Sequence, residues 1–261
     1  MRSITRMRLA GFASGLLLAG LALQAPRVAA TPLAAPVSFI QCRTEAPGQS
    51  GLQTDPFACS LGGGGALSAF GNIATAPFVS LVGQAAAFGF PSNAVAASVT
   101  ASLDYEFQVT GGNPGDVVPL LIATSLDTVG RDGVHAWGFA SINVGNVFGL
   151  GVGQAACTPG LNCGGGASFH GQLAVQMKSG GPNATVHLGI TASAGSSLID
   201  EFASASADPF IFVDPSFANA ALYTVTVSPG VANAPVPEPS RAVLLLGGLG
   251  ALAMLRRRRR C

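Results

Sequence analysis

The sequence predicts an all-β protein whose body is an antiparallel β-sandwich or jelly roll. Three observations predict it: polar and apolar residues alternate over long stretches, turn residues separate these stretches, and no helical pattern lies between them. Strands without intervening helices favour a sandwich or jelly roll over any α/β fold. The 49% hydrophobic content is ample for a core, and small residues carry much of it, because only 7% of the residues are aromatic.

The clearest predicted strand is residues 95–110. Its odd-numbered positions are apolar and its even-numbered positions from Ser98 onward are polar, which indicates one buried face and one in water. The turn residues at 111–116 then reverse the chain. Shorter strands separated by a loop at residues 62–65 are expected before this strand. Later strands are predicted at residues 117–126, 134–148, 168–178, 184–194, 197–207, 209–213 and 222–228.

An N-terminal secretion signal is predicted at residues 1–30. Arginines at positions 2, 6 and 8 precede an apolar stretch at residues 9–23, and Ala30 ends a run of small residues of the kind that a signal peptidase reads. As a helix this apolar stretch spans only about 22 Å, against about 30 Å for the hydrocarbon core of a membrane. We therefore expect a signal helix that is cleaved after Ala30, with the secretion machinery and signal peptidase as partners.

Residues 235–261 form a tail with three consecutive parts. Prolines at positions 235, 237 and 239 come first, then an apolar stretch at residues 242–255, then arginines at 256–260. The prolines forbid helix and sheet pairing, so that part stays extended and accessible to a processing enzyme. The apolar stretch predicts a short transmembrane helix of about 21 Å. The arginines stop transfer, so the body at residues 31–234 faces the periplasm.

This tail resembles the PEP-CTERM sorting signal of Gram-negative bacteria, in which a Pro-Glu-Pro motif, a short hydrophobic helix and an arginine cluster end the chain. The resemblance implies that an exosortase in the inner membrane recognises Pro237, Glu238 and Pro239, removes the tail, and releases or transfers the body to the cell surface or to extracellular polymer. An ordinary single-span anchor with a proline-rich stalk is the alternative. Strands similar to residues 101–109 and 208–215 occur in many PEP-CTERM bodies, which supports the fold and assigns no activity.

The charge of the chain is unevenly distributed. Residues 31–240 contain three basic residues, Arg43, Arg131 and Lys178, against all 12 acidic ones, which gives this segment a net charge of −9. Nucleic acids and anionic lipid headgroups need clustered lysine and arginine on the protein that binds them. The body is therefore not expected to bind nucleic acid.

Four cysteines lie in the exported body, at positions 42, 59, 157 and 163. An even number in an oxidising compartment suggests disulfides, and four thiols allow three connectivities. We predict the pairs that are local in sequence, Cys42 with Cys59 and Cys157 with Cys163, because each would close a loop that contains Gly or Pro. A metal site with His170 is the alternative, but its spacing fits no zinc pattern, and no metal is predicted.

Signals of catalysis are weak. Residues 151–156 partly match a dinucleotide-binding fingerprint, but Pro159 and Gly160 follow where its helix should begin. Ser168 lies near His170 without the Gly-x-Ser-x-Gly turn of a serine hydrolase. We therefore predict neither catalytic residues nor a cofactor. The three histidines at 135, 170 and 187 fall in predicted strands, where they are expected to be half-buried or to face solvent.

Two pairs of residues are weak signals of binding. Asp208 and Asp214 bracket an apolar strand and could supply oxygen ligands to calcium, although Asp-Pro more often starts or ends a strand. Trp137 and Phe139 share one face of a strand and could stack on a sugar, although a lone tryptophan is more often part of a core.

The prediction for function is an exported, non-enzymatic surface or extracellular-matrix protein, sorted by exosortase and associated with extracellular polysaccharide. A carbohydrate-binding or calcium-dependent adhesive module is the alternative, and a secreted enzyme is a more distant one. An exposed Trp137 would favour the adhesive module, and a buried one the matrix protein.

Overall fold

The computed structural model describes residues 32–46, 49–63, 67–88, 95–131, 135–147, 150–195 and 200–233. The predicted signal peptide with Ala30, and the tail with Pro237, Glu238 and Pro239, lie outside the described residues. In the described part of the chain, no helix is long and apolar enough to cross a membrane.

Within these ranges the chain forms thirteen strands and one three-residue 3-10 helix, Ala220–Leu222. In chain order the strands are β1 (Val37–Ala46), β2 (Gln49–Asp55), β3 (Ala58–Gly63), β4 (Leu67–Ala74), β5 (Ser80–Ala87), β6 (Ala96–Gly111), β7 (Val117–Val129), β8 (Ala136–Val147), β9 (Leu150–Cys157), β10 (Ser168–Lys178), β11 (Ala184–Gly195), β12 (Glu201–Val213) and β13 (Tyr223–Val227).

The strands form two sheets. Sheet A has the order β2-β1-β6-β11-β8-β9, and β13 pairs with the far end of β6; sheet B has the order β10-β7-β12-β5-β4-β3. All pairs are antiparallel, which confirms the predicted antiparallel β-sandwich. From β5 to β12 the chain changes sheet at every connection except the β8–β9 hairpin, a winding that jelly rolls share.

The core lies between the inner faces of the two sheets. In β6 every odd-numbered residue from Ala97 to Val109 is buried, as the alternating pattern predicts. Many core residues are small, and the sheets approach closely. A Cβ atom added to Gly83 of β5 would lie 3.0 Å from a methyl group of Val99 on β6. Glycine at position 83 therefore lets the Val99 side chain pack directly against the backbone of β5.

The turn at residues 111–116 reverses the chain as predicted. Gly111 and Gly112 adopt positive φ angles of 99° and 57°, which other residues rarely tolerate. The backbone N–H of Asp116 donates to the carbonyl of Asn113 at 3.1 Å and closes the turn. Tyr223 then donates its hydroxyl to Asp116 at 2.6 Å, and this bond lowers the pKa of the carboxyl group.

Two of the strand predictions need correction. Residues 197–207 and 209–213 were expected to form separate strands because of the Asp-Pro pair, but Glu201–Val213 is one continuous strand. The pairing of β12 with β5 ends at Ala207, while its pairing with β7 continues through Val213. Pro209 therefore lies beyond the part of β12 that pairs with β5, where its missing backbone N–H removes no hydrogen bond to β5. Strand β9 was not predicted, because its glycines and alanines show no clear alternation.

Candidate functional site

A groove of about 400 Å³ lies on the outer face of sheet A, the face turned away from sheet B. Strand β8 positions one side of the groove: residues 140, 142 and 144 are buried in the core, so residues 139, 141 and 143 point outward. Strand β9 and the loop after it supply the rest. The lining residues are Phe139, Ser141, Asn143, Gly153, Gln154, Ala155, Cys163 and Gly164.

Small residues on β9 keep the groove open. Gly153 pairs with Asn143 and Ala155 pairs with Ser141 across the β8–β9 hairpin. A Cβ atom added to Gly153 would collide with the side-chain oxygen of Asn143. Because position 153 is glycine, the Asn143 amide can lie over β9, where both its donor and its acceptor are available to a ligand.

The predicted disulfide between Cys157 and Cys163 is present, with a Cα–Cα distance of 6.3 Å, and it shapes the groove. It folds the loop after β9 back onto the edge of that strand, where the N–H of Cys157 donates to the carbonyl of Gly166 at 2.9 Å. A Cβ atom added to Gly165 would collide with the carbonyl oxygen of Ala155. The loop thus lies against β9, and Cys163 and Gly164 form a wall of the groove.

Polar and aromatic residues lie on opposite sides of this groove. Asn143 is the register partner of His187 on β11, and the Nδ1 atom of His187 lies 2.6 Å from a carboxylate oxygen of Asp104 on β6. On the other side, Phe139 and Trp137 are both half-buried and project from the same outer face. An aromatic face beside fixed donors and acceptors can pack against the carbon skeleton of a sugar and bind its hydroxyl groups.

The second predicted disulfide, between Cys42 and Cys59, is also present, with a Cα–Cα distance of 5.8 Å. It connects β1 of sheet A to β3 of sheet B, and both cysteines are buried. This bond therefore ties the two sheets together at the edge opposite to the groove. Disulfides of this kind are typical of proteins that fold in oxidising compartments.

Asp208 and Asp214 do not form a calcium site with each other. They lie six residues apart on extended backbone, a distance of about 20 Å. Asp208 accepts the N–H of Ser125 at 3.0 Å, and Asp214 accepts the N–H and the hydroxyl of Ser216 at 2.8 and 2.7 Å. The described residues contain no group of three or more His, Cys, Asp or Glu that could hold a metal ion.

A second polar cluster lies on the outer face of sheet B. The ring of His170 is 3.0 Å from the hydroxyl of Ser125 through Nδ1 and 2.9 Å from Asp127 through Nε2. Ser168, the neighbour that the sequence suggested, pairs instead with Asp127 across the strands. Sequence reasoning missed Ser125 and Asp127, because only the register of β7 against β10 brings them to His170.

This cluster has the hydrogen-bond order of a serine–histidine–aspartate triad, but its surroundings differ from those of a hydrolase. A hydrolase aims backbone N–H groups at the oxyanion beside its nucleophile. Here the N–H of Ser125 donates to Asp208 at 3.0 Å. The burial of Asp208 raises the pKa of its carboxyl group, and the nearby Asp127 adds to that rise. The bonds within the cluster thus join three strands of sheet B to one another.

Comparisons with known proteins identify no family for the chain. The sequence matches no protein-family model and no curated protein. Among solved structures it is similar to TmCBM61 in complex with β-1,4-galactotriose, at 11% identity, over 52% of this chain and 82% of that chain, with a TM-score of 0.21.

Proposed function

We propose that this protein is an exported, non-enzymatic surface or matrix protein whose β-sandwich binds polysaccharide in the groove beside β8 and β9. The observation that carries the proposal is the make-up of the groove: the Phe139 ring on one side, the Asn143 amide on the other, and Ser141 and Ala155 between them. Sugars present both a C–H face and a rim of hydroxyl groups, so a site for them needs an aromatic surface and fixed polar groups together.

The half-buried state of Trp137 is consistent with both functional classes. Its exposure was expected to favour a binding module and its burial a passive matrix protein, and the structure lies between the two. Trp137 is two residues from Phe139 and shares the outer face of β8 with it. Of these two aromatic residues, Phe139 is the one that lines the groove.

The glycan proposal is tested by replacing Phe139 with alanine in the full-length chain. Binding is measured by affinity electrophoresis in gels that contain soluble glucan, galactan or mannan. We expect Phe139→Ala to weaken retention about tenfold or more, the scale of losing an aromatic anchor. Phe70→Ala is the matched control, because Phe70 is 45% exposed on β4, outside the groove. Equal retention of both variants and the unmodified chain would refute the site.

We also propose that exosortase delivers the protein to the surface. The support is the tail sequence: the Pro-Glu-Pro motif at residues 237–239 precedes a short apolar stretch and five arginines. Replacing Pro237, Glu238 and Pro239 with alanine should leave export intact and cause the full-length, membrane-bound protein to accumulate in the native host. Mass spectrometry of the mature protein reads the outcome. An unchanged mature mass and an unchanged location would show that the motif is only a stalk.

A further inference from the structure

We infer that the groove is one end of a longer trough, which crosses sheet A and takes an extended, uncharged polysaccharide of several sugar rings. This inference rests on the proposed glycan-binding function and specifies both the class of ligand and its direction. It follows from the register of five neighbouring strands on the outer face of the sheet, together with the distribution of charge around them.

The floor of the trough is a row of small residues. Ser102 on β6, Gly189 on β11, Ser141 on β8 and Ala155 on β9 are successive register partners across the four strands. A Cβ atom added to Gly189 would lie 3.2 Å from the Ser141 hydroxyl oxygen, so the middle of this floor lies directly on the backbone. The row continues from the groove across the centre of the sheet.

The two neighbouring rows form the walls. They lie two residues away along each strand, or about 7 Å to either side of the floor. Asp104, His187 and Asn143 form a polar wall. Thr100, Thr191 and Phe139 form the opposite wall.

His187 presents one ring nitrogen to the trough. Its Nδ1 atom is held by Asp104 at 2.6 Å, and its Nε2 atom lies 3.7 Å from the position of a Cβ atom on Gly189. The Nε2 atom is therefore above the floor. When Asp104 accepts the Nδ1 proton, Nε2 is left as an acceptor for a sugar hydroxyl. The polar wall thus offers this acceptor together with the Asn143 amide.

The length of the trough suits a chain of sugars. Phe39 on β1 pairs with Ser102 and is 41% exposed, so an aromatic ring lies at the end of the floor opposite to Phe139 and the disulfide loop. From β1 to β9 the trough crosses five strands, about 19 Å at the usual strand spacing. The distance between two neighbouring strands is close to the length of one pyranose unit in an extended chain, so each strand faces about one ring.

The charges favour a neutral glycan. Of the three basic residues in the body, Lys178 faces outward from sheet B and Arg131 forms an ion pair with Glu201 at 2.8 Å. Arg43 is on the outer face of β1, four residues from Phe39, and is ion-paired with Glu45. Among the described residues, the trough therefore has an acidic residue, Asp104, in its wall and no unshared Lys or Arg to pair with a carboxylate or sulfate on a sugar.

Titration calorimetry on the full-length chain tests the trough with two series of oligosaccharides of one to six rings: neutral gluco-, galacto- and manno-oligosaccharides, and acidic oligomers of alginate and polygalacturonate. For at least one neutral series we expect affinity to rise with length to about five rings and then level off, because each strand faces about one ring. The acidic oligomers should bind more weakly at every length.

Gly189→Val should block the centre of the trough, at the side of the groove that Ser141 lines. We expect it to bind the longest neutral oligosaccharide about tenfold more weakly, through the loss of contacts beyond the blocked point, and to weaken disaccharide binding less. Gly62→Val on β3 is the matched control, because a Cβ atom there meets nothing within 4 Å. Ser102→Val, which raises the floor on β6, replaces the first variant if circular dichroism shows that Gly189→Val does not fold.

The possible results separate this inference from the proposed function. If Gly189→Val and Ser102→Val bind long oligosaccharides as the unmodified chain does, while Phe139→Ala still weakens binding, the trough is wrong and the groove stands. Tighter binding of the acidic series overturns the neutral ligand class. If none of the oligosaccharides binds and Phe139→Ala changes nothing, both proposals fail.

Discussion

The outer faces of the two sheets carry the same chemical pair in different surroundings. On sheet A, His187 bonds to Asp104 at 2.6 Å; on sheet B, His170 bonds to Asp127 at 2.9 Å. Both histidines are about half exposed, with side-chain exposures of 47% and 59%. A search for exposed histidine–aspartate pairs alone would rank the two faces equally.

The surroundings distinguish them. His170 uses both ring nitrogens within the protein, one toward Asp127 and one toward the Ser125 hydroxyl. The described residues bond only the Nδ1 atom of His187, and its Nε2 atom lies over glycine. The difference teaches that the neighbours of a polar pair decide whether it can bind a ligand. Small residues and a loop held by a disulfide make room on sheet A, whereas cross-strand bonds use up the donors and acceptors on sheet B.

The largest expected effects come from removing each disulfide by a double cysteine-to-serine change. The chain-entropy model gives losses of about 3 kcal/mol for the Cys42–Cys59 bond and about 2 kcal/mol for Cys157–Cys163, because the first closes the longer loop. Binding should follow the opposite order. Only the loss of Cys157–Cys163 frees the wall of the groove, so it should weaken glycan retention more than the loss of Cys42–Cys59.

Urea unfolding and affinity electrophoresis on the same two variants measure both properties. Peptide mapping without reductant should first show the two predicted bonds in the unmodified secreted protein. If both variants lose binding in proportion to their lost stability, the loop has no separate role in the groove.

A smaller effect is expected from replacing each histidine with alanine. His187→Ala should weaken the binding of a neutral oligosaccharide about two- to tenfold, the range for one hydrogen bond to a neutral partner. His170→Ala should leave binding unchanged, because its bonds are internal to sheet B. Calorimetry with the longest neutral oligosaccharide that binds measures both. Equal losses from the two variants would remove the distinction between the faces.

The sequence predicted the strands and their faces better than it predicted neighbours. Alternation placed Asp104 on the polar face of its strand, His187 fell in a predicted strand, and β10 begins and ends where it was predicted. Which strands pair depends on contacts between distant segments. Asp104 and His187 are 83 residues apart in sequence and meet only through the β6–β11 register. No local pattern contains that information.

The disulfides could be predicted from the sequence because they are local, whereas the groove could not, because it combines several segments of the chain. Each disulfide closes a short loop, so the nearest partner in sequence was the correct one. The groove combines β8, the unpredicted strand β9 and the following loop. Glycine at positions 153 and 189 looked like part of a generally glycine-rich chain, and only the strand register places both beside outward-facing residues of β8. Two lining residues had a local signal: Phe139, as a residue that could stack on a sugar, and Cys163, as a disulfide cysteine.

The smallest expected effect is on stability and concerns the carboxylates of sheet B. Burial raises the pKa of Asp208, with a further rise from the nearby Asp127, so the folded protein holds its proton to higher pH than the unfolded chain does. Asp208 therefore favours folding below its unfolded pKa of about 3.9 and loses that contribution as pH rises through its folded value. Asp208→Asn removes the buried charge and keeps an oxygen that can accept the Ser125 N–H. We expect a modest rise in melting temperature at pH 7 that disappears near pH 3.

Asp214 provides a comparison of opposite sign. Its bonds from Ser216 hold the pKa of its carboxyl group below the usual value, so its contribution to stability is present at neutral pH and is lost as pH falls through the folded pKa. Asp214→Asn should therefore lower the melting temperature slightly at pH 7 and have no effect at the acid end. Neither change should alter glycan binding, because both residues lie away from sheet A.

Melting curves between pH 3 and 8 follow both variants. A destabilised Asp208→Asn at pH 7 would show that its charge is compensated by His170, and a loss of glycan binding in that variant would place part of the site on sheet B.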